Sequence, residues 1–141
     1  MTAFVDTSVL VAVFFGDHVH HDASIARFVR LNKQNGATAA HCLAEVYAVL
    51  TGMPGKHRAT PDQALLFLGD VRERLNLVTL SAKDYADALS ESSKLGIVGG
   101  GIYDVVVAHS ALKAKASVLY TWNLKHFVRQ GKTIAAIAKQ P

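Results

Sequence analysis

Acidic residues disappear from the end of this chain: none of its eleven Asp and Glu follows Asp104. Residues 105–141 carry six Lys or Arg and no acid, against nine Lys or Arg and eleven acids before them. A basic segment beside a slightly acidic body suits a polyanion, because each cation placed on a phosphate releases counterions. An ordinary solvated cationic surface has the same composition, so charge alone leaves the choice open. Cysteine is almost absent: Cys42 stands alone, which excludes an internal disulfide and a Cys-rich zinc site and suits a reducing compartment. The longest unbroken apolar run, Val9 to Phe15, is far short of the roughly 20 residues that span a bilayer. No Lys or Arg precedes Arg27, and Asp6 interrupts the first apolar stretch, so the start does not read as a signal peptide. The expectation is a cytoplasmic protein without a membrane span. A phosphate-binding loop and a Gly-x-Ser-x-Gly elbow are also missing, and Gly99-Gly100-Gly101 follows a helix rather than a strand, which excludes a dinucleotide fingerprint.

What is present is apolar. Half of the 141 residues are hydrophobic and 18% are charged, enough to bury a core and too few charges for a disordered chain. The length suits one domain over 1–141. Residues 2–6 read as a strand, with a helix from Thr7 and Ser8 to Phe15. An amphipathic helix over Ala23 to Leu31, a small-residue strand over Ala37 to Ala40 and a helix over Leu43 to Leu50 follow. Gly52-Met53-Pro54-Gly55 breaks the chain. Thr60 with Gln63, and Ser81 with Asp84, carry capping-box signatures for two further helices, the second reaching about Leu95, with a strand at Leu77 to Leu80 between them. Gly96 to Gly101 reads as a loop, Asp104 as the cap of a helix through Leu112, Ser117 to Thr121 as a strand, and Thr133 to Ile137 as a last short strand. Strands separated by helices, apolar in runs rather than alternation, predict a three-layer α/β/α sandwich with a central, mostly parallel sheet.

In such sheets sites form beyond the carboxyl ends of the strands, where Asp6 falls. Asp6 and Asp104 each also suit a helix start, where a carboxylate is favoured whatever its job. Glu45 interrupts an apolar helix and equally suits a solvent-facing position. Taken together, three carboxylates that begin or interrupt stretches otherwise expected to be buried would repel one another and need a cation. Oxygen donors favour Mg²⁺ or Mn²⁺ over zinc. His18, His20 and His21 lack a third ligand at zinc-like spacing and read as a solvated turn. Val9 to Phe15 is apolar around the whole helix, which suits either full burial or a groove for a partner's helix or a second copy.

Asp6-Thr7-Ser8-Val9-Leu10, Leu43-Ala44-Glu45-Val46-Tyr47-Ala48-Val49-Leu50-Thr51, Ile102-Tyr103-Asp104-Val105-Val106-Val107-Ala108-His109-Ser110-Ala111 and Thr121-Trp122-Asn123-Leu124-Lys125-His126-Phe127 together resemble PIN-domain proteins, in particular the VapC-type toxins of bacterial toxin–antitoxin pairs. The resemblance implies a Mg²⁺-dependent endoribonuclease, with Mn²⁺ as a substitute, leaving 5′-phosphate and 3′-hydroxyl ends. It implies Asp6, Glu45 and Asp104 as the acidic site, Asp6 and Asp104 as direct metal ligands, a VapB-type antitoxin and a homodimer. Where many of these proteins carry a fourth acid, this chain has His126. Asn123 is the best substitute through its amide oxygen, although a turn-forming role explains it equally, and an exposed loop His is more often incidental. Ser8 and Thr121 stand where hydroxyls would orient the acids. Lys125 and Arg129, with Lys56, His57 and Arg58, are the candidates for RNA backbone contacts. The competing readings are a PIN-like module that binds RNA or antitoxin without cutting, and a DNA-directed metal nuclease.

Overall fold

The computed structural model describes residues 1–141. Five strands form one all-parallel sheet: β1 (Ala3–Val5), β2 (Gly36–Ala39), β3 (Asn76–Val78), β4 (Val118–Tyr120) and β5 (Ala138–Lys139), in the order β3-β2-β1-β4-β5. β1 is central, with Phe4 opposite Ala37 on one side and Leu119 on the other. Parallel neighbours need crossovers, and helices supply them. These are α1 (Thr7–Phe14), α2 (His21–Phe28), α3 (Ala40–Gly52), α4 (Pro61–Arg74), α5 (Ala82–Leu95), α6 (Gly101–Lys113), α7 (Leu124–Val128) and α8 (Lys132–Ile137). α1 packs on α2 and α3, and α3 on α4, while α5, α6, α7 and α8 form a second train in which α6 lies on β2 and β3. The result is the expected α/β/α layering, around a core that includes Phe4, Val5, Leu10, Val46, Leu50, Val107, Leu119 and Phe127.

Local chemistry sets the helix starts. Thr60 accepts a hydrogen bond from Gln63 N while Gln63 reaches back to Thr60 N, with Pro61 at the first helical position of α4. Ser81 and Asp84 do the same for α5. Gly96, at φ 68°, closes α5 in the left-handed conformation that favours glycine. Gly36 is required for space: a Cβ there would lie 2.8 Å from Leu75 Cδ2 and 2.9 Å from Leu31 Cβ.

Several boundaries differ from the sequence reading, among them β3, read at Leu77 to Leu80 and observed at Asn76–Val78. α3 starts at Ala40 directly after β2, so His41 lies on the helix. The glycine loop ends earlier: α6 begins at Gly101 and places Asp104 inside its first turn, so Asp104 does not cap it. Thr133 to Ile137 is helical, since Gly131 (φ 112°) turns the chain and its carbonyl accepts from Ala135 N, leaving only Ala138–Lys139 to pair with β4. α2 begins at His21 and ends at Phe28.

The all-apolar α1 is not wholly buried. Val9, Leu10, Ala12 and Val13 face the core, while Val13 and Phe14 also help line an open groove of about 1170 Å³ with Ile25, Phe28, Leu66 and Phe67. Lys33, Asp70, Glu73 and Arg74 stand in its lining as well. No helix is long and apolar enough to cross a membrane.

Candidate active site

β1 delivers Asp6 to the carboxyl edge of the sheet, where it both starts the next helix and lines a cleft. It caps α1, its Oδ1 accepting from Val9 N at 3.2 Å, and it lies buried at the floor of a cleft of about 560 Å³. Ser8 Oγ donates to Oδ1 at 2.6 Å, and Thr121 Oγ1 donates to Oδ2 at 2.6 Å. Thr121 is in reach because β4 pairs with β1, register Val5 to Tyr120, and Asp6 N donates to Tyr120 O. The same hydroxyls accept backbone bonds from the next loop, Ser8 from Trp122 N and Thr121 from Asn123 N, both at 2.9 Å. Burial pushes the Asp6 carboxyl up to about 6, and the Asp104 charge adds to this; the bonds from Ser8, Thr121 and Val9 act in the opposite sense.

Glu45, half-buried on α3, and Asp104, on the first turn of α6, line the same cleft with Asn123. Burial raises the pKa of Glu45, and Asp104 raises it further. His41 Nε2 stands 3.0 Å from Glu45 Oε1, without the alignment of a hydrogen bond. Burial lowers the pKa of His41. The His41 ring stacks on Tyr103 of α6, centroids 5.3 Å apart. His126 Nδ1 lies 2.9 Å from Asp104 Oδ2, a direct contact with the acidic site from a residue the sequence gave little weight.

The structure thus gathers Asp6, Ser8, Glu45, Asp104, Thr121 and Asn123. It leaves Lys125, on α7, and Arg129, at its C-cap, outside the cleft lining, with the Arg129 guanidinium against Gly101 at the start of α6. Lys56, His57 and Arg58 are also outside it; His57 Nδ1 is 3.3 Å from Asp17, and Arg58 Nε donates to Met53 O. The histidine turn is not simply solvated. His18 and His20 wall the cleft, the His20 ring lies parallel to Trp122 at 3.7 Å, and His21 Nδ1 meets Ala12 O at 2.8 Å. Trp122 was legible only as an aromatic within the last motif, His20 only as one of a histidine cluster, and His41 only as a His four residues before Glu45.

The donor chemistry fits a hard divalent cation. Carboxylate, amide and hydroxyl oxygens line the cleft around the mutually repelling acids, no thiolate is among them, and the buried Thr7 Oγ1 in the cleft has no hydrogen-bond partner. No trio of His, Cys, Asp or Glu side chains forms a ready-made cage. Mg²⁺ commonly takes one or two carboxylates and completes its shell with water and substrate phosphate.

Carboxylates thus gather at the carboxyl edge of a parallel α/β sheet, where such sheets bind their ligands, and the PIN domain pattern matches residues 3–131. The chain belongs to the PIN-domain family. It is similar to Ribonuclease VapC40 of Mycobacterium tuberculosis, 34% identical over 114 residues that cover 81% of each chain. Its fold is similar to that of VapC20 of Mycobacterium tuberculosis, a sarcin–ricin loop cleaving toxin, with TM-score 0.73, 14% identity, and 89% and 92% of the two chains covered. VapBC2 of Rickettsia felis, solved with a DNA fragment from its promoter, gives TM-score 0.68 and 21% identity over 99% and 98% of the two chains.

Proposed function

We propose that the chain is a single-domain, Mg²⁺-dependent endoribonuclease that acts as the toxin of a toxin–antitoxin pair in the cytoplasm, with Mn²⁺ able to substitute. The observation that carries this is the meeting of Asp6, Glu45 and Asp104, from three distant parts of the sequence, in one cleft at the carboxyl edge of the sheet. Kinship with VapC-type ribonucleases supports RNA as the polymer.

Asp6 and Asp104 would hold the cation, with Glu45 completing the donor set or taking the proton of the attacking water, a task its raised pKa suits. When bound, the cation supplies Lewis-acid activation of water and offsets charge at the phosphorus. Ser8 and Thr121 hold the Asp6 carboxylate by one bond to each oxygen, so its orientation is set before substrate arrives. His126 fixes Oδ2 of Asp104, and Asn123, which lines the cleft, offers an amide oxygen in place of the missing fourth carboxylate. Lys125 and Arg129 hold the RNA backbone on the flank of the cleft.

The apolar groove between α1, α2 and α4 suits the apolar face of a VapB-type antitoxin segment, with charged residues present to fix its register. Tyr47 and Val49 of α3, Leu89 of α5 and Tyr103 of α6 are exposed and apolar, which supports pairing of two copies. Light scattering of the purified chain is expected to give twice the 15.1 kDa monomer mass.

The test is incubation of the antitoxin-free chain with total RNA, and with matched RNA and DNA hairpins, in Mg²⁺, Mn²⁺ or EDTA. Discrete cuts of RNA only, lost in EDTA, are expected. Cleavage of DNA at equal rate, or cuts that persist in EDTA, would overturn the reading.

A further inference from the structure

The loop between α1 and α2 folds back over the cleft and lays the His20 imidazole flat on the Trp122 indole, 3.7 Å away and 6° from parallel. That is the spacing and attitude of one nucleobase on another. The two rings differ in how firmly they are held. Trp122 is held at two points: its backbone N donates to Ser8 Oγ, the hydroxyl that orients Asp6, and its indole Nε1 donates to the fully buried Ser24 Oγ at 2.8 Å. The partly buried Trp122 also packs against the core. The imidazole of His20, by contrast, has no hydrogen bond from either ring nitrogen to the protein; only its backbone is engaged, the N–H donating to His18 Nδ1 and the carbonyl accepting from Ser24 N. Both rings line the cleft that holds Asp6, Glu45 and Asp104, and its 560 Å³ lies within the ordinary range for small-ligand sites.

We infer that Trp122 is the seat of one unpaired nucleobase of the RNA and that His20 holds that place on the indole until substrate enters. The inference rests on the ribonuclease reading above and deepens it: the substrate is RNA with an unstacked nucleotide beside the bond to be cut. A base inside a helix already has both faces covered and cannot reach the indole, whereas loops and single strands present bases that stack on aromatic side chains. The fixed link from Trp122 through Ser8 to Asp6 ties the position of the base to that of the carboxylate.

Trp122 is the only tryptophan, so intrinsic fluorescence reports this seat alone. The full chain in EDTA, where RNA is expected to stay intact, is titrated with a short single-stranded RNA, the same RNA in a duplex, and a strand with abasic sites. Binding is followed by both tryptophan emission and anisotropy of a labelled strand. Single-stranded RNA is expected to quench emission, and duplex and abasic RNA to leave it unchanged. By anisotropy, Trp122→Ala is expected to weaken binding about ten-fold, within the usual worth of one stacked base, with Trp122→Phe close to the parent. His20→Ala is expected to bind tighter, because the competing ring is gone. Circular dichroism of each variant checks the fold. Anisotropy showing binding with unchanged emission, or abasic RNA bound as tightly as the intact strand, would overturn this inference alone. A weaker His20→Ala variant would overturn the displacement. Absence of binding to any RNA would remove the ribonuclease reading and this inference with it.

Discussion

Two concavities share the short helix α1. Its first turn feeds the polar cleft, through Asp6 at the cap and Ser8; its last residues, Val13 and Phe14, feed the apolar groove. The cleft concentrates groups that folding alone leaves unfavourable, a buried carboxylate pushed up to about 6 and a second acid raised beside it. The groove holds apolar side chains whose cost is only their contact with water. The lesson is that a site for chemistry announces itself by electrostatic strain, and a site for docking by unspent apolar surface. The first needs particular residues at particular atoms, and the second needs only shape and area.

Removing one carboxylate should separate the two most completely. Asp104→Asn is expected to lower RNA cleavage at least ~10³-fold, the scale of losing a group that stabilises charge in the transition state, with antitoxin-peptide affinity unchanged. Cleavage assays and calorimetry on the same preparation check this.

The strain itself is measurable. In EDTA the folded state holds the Asp6 proton to about pH 6, whereas an exposed Asp releases it near 3.8. The unfolded chain therefore loses its proton first, and stability falls as pH rises between about 4 and 6, then stays lower above that window. Asp6→Asn is expected to raise stability at pH 8 by about 2–3 kcal/mol and to give little gain near pH 4, read from urea melts at the two pH values. A gain that does not depend on pH would break the comparison.

Thr121→Val sharpens it from the other side. Loss of the hydroxyl leaves Asp6 Oδ2 without its donor, expected to cost about 1–3 kcal/mol at pH 8. Protonation at lower pH should return part of that loss. On the groove, Leu66 is 74% exposed, so Leu66→Asp is expected to leave stability within about 0.5 kcal/mol while weakening the antitoxin segment, by native titration of the two.

The sequence made the cleft far more legible than the groove. Asp6, Glu45 and Asp104 interrupt apolar runs, and such interruptions can be seen without coordinates. The groove left only the excess apolarity of Val9 to Phe15, since Leu66 and Phe67 lie on α4 with nothing to mark their partner. Strand order was inaccessible for a similar reason: β4 is the neighbour of β1 because of crossovers over more than a hundred residues, not because of any local pattern. The mistaken last strand, 133–137, fell where Ile and Ala suit either state and one glycine with positive φ decided for helix. His20 and His126 stayed obscure because a histidine's task is set by what lies against its ring.

The bond from Thr121 to Asp6 closes over 115 residues. A chain made from its N-terminus emits Asp6 almost at once and Thr121 only near the end of translation. Until then Asp6 lacks one of its two orienting hydroxyls, β1 lacks the neighbour that forms one wall of the cleft, and Trp122 and Asn123 do not exist. A nascent or truncated product ending before residue 121 consequently lacks the arrangement on which the proposed cleavage rests.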